Sequence, residues 1–139
     1  MNATDGIAEL RTSLRQQLKA QRQQLLDAFE QKPAAATLLR RLRQLVDATL
    51  AQAWNALQMP ASATLIAVGG YGRGELFPYS DVDVLLLLAQ EPDADVQAKV
   101  EAFIGLCWDL GLEIGSSVRT VDECIAEAAA DITIQTALL

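Results

Sequence analysis

Asp81 and Asp83 stand two residues apart at the entrance to an apolar run ending at Leu88, and Gly69, Gly70, Gly72 and Gly74 lie shortly before them. Side chains alternate faces along a strand, so residues two apart point the same way. If the run is a strand, both carboxylates project from one face, close to the glycines. Two such carboxylates repel each other unless a cation sits between them. Hard oxygen donors suit Mg²⁺, which is held by one or two carboxylates plus substrate phosphates. Glycine lets backbone N–H groups come close to a phosphate. Arg73, inside the glycine segment, is a natural phosphate contact. Together these parts describe a site at which a metal-bound nucleoside triphosphate is attacked. Each part alone has a plainer meaning: a tight turn for the glycines, a solvated strand edge for the aspartates. Here they adjoin Val82, Val84, Leu85, Leu86, Leu87 and Leu88, which read as a buried central strand. Charges at the mouth of such a strand need a reason.

The elements that position this site follow from periodicity. Leu10, Leu14, Leu18, Leu25 and Phe29 form a helical stripe, with Arg11, Arg15, Lys19 and Arg22 beside it as a basic face, either solvated or a docking surface for a partner or for another part of a longer enzyme. Pro33 breaks this helix and suits the start of the next. Leu38, Leu42, Leu45, Val46, Leu50, Trp54 and Leu57 make the apolar face of the second helix, which Met59 and Pro60 end. A first strand is expected over 65–68, leading into the glycine turn. After the Asp-bearing strand, Glu91, Pro92 and Asp93 form a turn and helix start. Val96, Val100, Phe103, Leu106, Cys107 and Leu110 give that helix its core face, and Gly111 ends it. Alternation over 112–120 predicts a third strand, and Thr120 with Glu123 reads as a capping box opening a last helix. The order α-α-β-turn-β-α-β-α predicts a small mixed α/β domain with a helical arm.

Composition bounds the rest. The 139 residues, 51% hydrophobic, suffice for one packed core. The net charge of −7 is uneven: eight basic and four acidic residues through position 43, three and fourteen after it. The acidic remainder argues against non-specific nucleic-acid binding. The apolar run at 84–89 is too short to span a bilayer, and the first residues lack a signal-peptide pattern. Cys107 and Cys124 have no metal-ligand neighbours, and histidine is absent. A reduced, cytoplasmic protein without a membrane partner is expected.

The segment Gly-Gly-x-Gly-Arg-x-Glu-Leu-x-Pro-x-Ser-Asp-x-Asp, residues 69–83, resembles the signature of the DNA-polymerase-beta-like nucleotidyltransferase superfamily. Within it, the chain is most similar to the amino-terminal domain of the bacterial PII uridylyltransferase/uridylyl-removing enzymes, through Ser117-Val118-Arg119-Thr120 and on past Asp131-Ile132-Thr133. The resemblance covers residues 64–139. It implies an α/β (α+β) fold with a small mixed sheet, a helical arm at 1–60 and a catalytic core at 61–139. It also implies transfer of UMP from UTP to a tyrosine of the PII signalling protein, with pyrophosphate leaving. Asp81 and Asp83 are then the catalytic, Mg²⁺-holding pair. Gly69 and Gly70, through backbone N–H groups, hold the triphosphate with Arg73. Ser80 orients a phosphate oxygen or braces Asp81. Glu75 is expected to fix the loop rather than touch metal, and Tyr71, Phe77 and Tyr79 either line the pocket or, as the safer reading, pack the turn against the core.

The resemblance also implies a third carboxylate. Glu113 and Asp131 are the candidates within the chain, while the family pattern puts it just beyond Leu139. On that pattern 61–139 is a core truncated at its carboxyl end, and inactive or weakly active alone. Ser116 departs from the histidine that many relatives place there. The uridylyl-removing activity needs a His/Asp metal domain and is not expected in a chain without histidine. Two other readings stay open. One is an adenylyltransferase of the same fold, acting on glutamine synthetase or a small molecule. The other is a nucleotide-binding regulatory module without turnover.

Overall fold

The computed structural model describes residues 3–74, 76 and 81–138, with side chains described for residues 6–129 among these. The elements run α1 (Ala3–Gln31), α2 (Ala35–Ala56), β1 (Ala63–Ala67), α3 (Gly69–Gly72), β2 (Val82–Leu88), α4 (Ala94–Asp109), β3 (Ile114–Thr120) and α5 (Val121–Leu138). No helix among the described residues is long and apolar enough to cross a membrane.

β2 is the central strand of a three-stranded mixed sheet, antiparallel to β1 and parallel to β3. Its residues alternate buried and half-buried along the whole length. Val82, Val84, Leu86 and Leu88 point to the core; Asp83, Leu85 and Leu87 point to the other face. This is the expected strand, except that it begins at Val82, so Asp81 sits just before it.

β1 covers 63–67 rather than 65–68. The register with β2 runs from Ala63↔Leu88 to Ala67↔Val84, so the length of β2 recruits Ala63 and Thr64. Val68 leaves the strand to cap α3, although its N–H still donates to the Asp83 carbonyl at 3.0 Å. The glycine segment is also more ordered than a loop: it closes one helical turn, with Gly72 N–H donating to Val68 O and Arg73 N–H to Gly69 O.

β3 begins at Ile114, two residues later than its alternation suggests. The N–H groups of Gly111 and Leu112 are committed to Trp108 O and Cys107 O. These bonds, with Gly111 at φ +90, form a Schellman motif that ends α4 before pairing with β2 can start. Val118 shares the parity of the core face yet is 36% exposed, because β3 is an edge strand with a neighbour on one side only.

The first two helices do not stand apart from the sheet. Leu14 and Leu18 of α1 and Val46, Leu50 and Ala53 of α2 join Val84, Leu86, Phe103, Leu106 and Cys107 in one buried cluster. Their i, i+4 spacing aligns them along a single stripe of each helix. Phe103 is fully buried and meets Trp54 edge-on, ring centroids 5.1 Å apart. Arg11 pairs with Asp109 at 3.4 Å, which ties the expected basic face of α1 to α4 at one point. Both partners are substantially exposed, so the pair adds little stability.

The starts of α4 and α5 carry the expected caps. Asp93 accepts from the Val96 N–H at 2.9 Å at the start of α4. The Thr120 hydroxyl accepts from Glu123 N–H, and the Glu123 carboxylate accepts from Thr120 N–H, which is a reciprocal capping box. Cys107 is the expected core filler, and burial pushes its thiol up to about 12.

Candidate functional site

The site lies where α3, the mouth of β2 and the start of β3 meet. β2 delivers Asp83 to the face opposite the core, where it is half-buried. Asp81 is exposed one residue before the strand.

The surroundings of Asp83 are defined by two residues without side chains. A Cβ built on Gly69 would come 2.8 Å from Asp83 Oδ2, and one on Gly115 would come 2.5 Å from Asp83 Oδ1. Gly69 belongs to α3 and has φ +59. Gly115 is the register partner of Asp83 on β3. The carboxylate therefore rests between two glycines from different elements, each of which keeps a side chain out of its space. Gly69 of the expected glycine turn thus lies against an aspartate of β2. Gly115 was missed. Its signal was available, because glycine inside a strand often marks a close approach.

Gly70 is half-buried within α3, and Arg73 is exposed at the end of it. Tyr71 is buried, as expected of a residue that packs the turn against the core. Its hydroxyl donates to the Asp47 carboxylate of α2, a partner that no local pattern announced. Burial first, then the bond to Asp47 and its negative charge, raise the phenol well above its ordinary range; the nearby Arg43 charge acts in the opposite sense. Ser80, Glu75, Phe77 and Tyr79 lie outside the described residues.

Asp81 and Asp83 supply hard oxygen ligands, which fit a divalent cation that takes its other ligands from phosphate and water. Among the described residues no three Asp, Glu, Cys or His side chains cluster around one point. Glu113 therefore does not complete a triad with the pair. The Asp131 side chain lies outside the described ones. Arg119 is an ion-pair residue, 3.2 Å from Glu127 of α5.

A protein-family model described as a nucleotidyltransferase domain matches residues 49–131, from within α2 to within α5. The chain belongs to the nucleotidyltransferase domain family. It is 66% identical over 130 residues to a bifunctional uridylyltransferase/uridylyl-removing enzyme of Cupriavidus pinatubonensis, covering 94% of the chain and 15% of that enzyme. Enzymes of the same name from Cupriavidus metallidurans and Chromobacterium violaceum are 62% and 57% identical, over 91% and 90% of the chain and 15% of each enzyme. The chain thus spans about 15% of the length of these curated relatives. No solved structure matches it. The three-stranded mixed sheet with its helices is consistent with the polymerase-beta-like nucleotidyltransferase fold, and the domain is that of a transferase.

Proposed function

We propose that this domain transfers UMP from UTP to a tyrosine of a PII-type signalling protein, in a reduced, cytoplasmic setting. The observation that carries the reading is the lodging of Asp83 between Gly69 and Gly115, which brings a metal-type carboxylate against a glycine turn suited to phosphate. The names of the relatives supply the uridylyl group, and nucleotidyl transfer is the chemistry of the domain family.

In this reading Asp81 and Asp83 hold Mg²⁺. Bound between them, such an ion would supply polarisation of the α-phosphate and charge neutralisation for the leaving pyrophosphate. The glycines on both sides leave the Asp83 carboxylate its space and admit no further side chain there. Gly69 and Gly70 present backbone N–H groups to the triphosphate, and Arg73 adds a charge-assisted contact. Ser80 orients a phosphate oxygen or braces Asp81. The acceptor tyrosine then attacks the α-phosphorus in line with the departing pyrophosphate, and its proton passes to solvent or a nearby base. Holding the two reactants in that line is the largest contribution that a rigid strand mouth can make.

The test is incubation of the full-length protein with PII, Mg²⁺ and α-labelled UTP or ATP. Label from UTP on PII, lost on adding a chelator, is the expected result. Label from ATP instead would replace the reading with adenylyl transfer. Nucleotide binding without label on PII would make the domain a regulatory module.

A further inference from the structure

Residues 69–74 contain four glycines, so only Tyr71 and Arg73 carry side chains with which the segment can be held. Glycines lose the most conformational freedom on ordering, so a turn built from them needs an anchor. Arg73 is exposed, whereas Tyr71 is 5% exposed and reaches across to α2, where its hydroxyl donates to Asp47. One turn earlier on the same face of α2, Arg43 attends the other end of the segment. A Cβ built on Gly74, which has φ +78, would come 2.7 Å from Arg43 Nη1. Residues four apart share a helix face, so α2 meets the glycine segment at its middle and at its end.

Resting on the nucleotidyl-transfer reading, we infer that Asp47 is a positioning residue, which acts through the Tyr71 hydroxyl to hold the glycine segment where it meets the triphosphate. Asp47 lies on α2, outside the strands that carry the aspartates, and carries no expected contact with nucleotide. Its carboxylate faces a neutral phenol donor and fixes the ring, and the ring fixes Gly70 and Gly72 on either side. A charge-assisted bond of this kind is stronger than a neutral one. A loosened segment weakens triphosphate binding and leaves the Asp83 carboxylate, held by β2, in place.

The experiment compares the full-length protein with Tyr71→Phe, Asp47→Ala, Asp47→Asn and the Tyr71→Phe/Asp47→Ala double variant. Tyr71→Phe keeps the buried ring and Asp47→Asn keeps an acceptor, so both are expected to fold. KM for UTP should rise about tenfold in Tyr71→Phe and in Asp47→Ala, with kcat changed less than about threefold. The double variant should be no worse than either single one, because one bond is lost in each. Asp47→Asn should return KM to within about threefold of the parent. Without nucleotide, amide exchange at 69–74 should quicken about tenfold in Tyr71→Phe while that of 82–88 stays unchanged. Unchanged KM in both single variants, multiplying effects in the double one, or no rescue by asparagine would overturn the inference. If the parent transfers no UMP, the functional reading fails. The exchange comparison then decides the anchor alone, and unchanged exchange at 69–74 overturns it.

Discussion

Asp83 and Gly115 face each other across the parallel β2–β3 pair, and the space between them is too small for one methyl group. A Cβ at position 115 would stand 2.5 Å from Asp83 Oδ1. A side chain at position 115 therefore cannot be added without moving the Asp83 carboxylate. Gly115→Ala should displace the carboxylate rather than unfold the strand, because extended backbone accepts alanine. A displacement near 1 Å costs about a hundredfold in rate. We expect transfer to fall by that factor with the far-ultraviolet circular dichroism unchanged. Full activity in Gly115→Ala would remove Asp83 from the chemistry or show that the sheet yields there.

Asp81→Asn and Asp83→Asn each remove a negative oxygen ligand with almost no change in volume. A metal's share of transition-state stabilisation is several kcal/mol, so transfer of labelled UMP should drop about a thousandfold in each. Asp83→Asn should leave thermal stability within about 1 kcal/mol of the parent. A variant retaining more than a tenth of the parent rate sinks the assignment of that residue.

Gly70→Val tests the close approach of the turn to phosphate. Gly70 sits in α3, so valine adds bulk and a β-branched side chain where the triphosphate is proposed to lie. KM for UTP should rise at least about tenfold. Steady-state kinetics showing unchanged KM and kcat would show that the segment is not a phosphate cradle.

Cys107 makes a prediction about alkaline stability. Its thiol is raised by burial from 9.0 to about 12, so the folded state keeps the proton that the unfolded state releases. The stabilisation is complete below about pH 9 and is lost as pH rises from there towards 12. Denaturant melts of Cys107→Ala, set against the parent from pH 8 to 11, should lose less stability across that window. Parallel curves would show that burial of this thiol does not drive the alkaline loss.

Much of this domain was readable before any fold was known, because the signals are local. The alternation of Val82, Val84, Leu86 and Leu88 with Asp83, Leu85 and Leu87 is the pleat itself. The stripes of α1, α2 and α4, the Asp93 cap and the Thr120–Glu123 box repeat over one or two helical turns. Cys107 announced its burial by spacing among Phe103, Leu106 and Leu110. The pairing of two aspartates with a glycine segment pointed to the same chemistry that the domain family performs.

The tertiary structure alone decided what those residues touch. Register, not composition, set Gly115 against Asp83, since a slip of one residue would have turned Gly115 to the other face. The same register lengthened β1 at its start and placed Asp81 outside the strand. Helix packing set Asp47 beneath Tyr71, although nothing near Asp47 in the chain marks it as part of the site. It also joined the expected arm to the sheet, because Leu14, Leu18, Val46 and Leu50 close on the same buried cluster as Val84 and Leu86. Periodicity runs along a chain and names the face of each element. Which faces meet is a matter of long-range packing, which no local period contains.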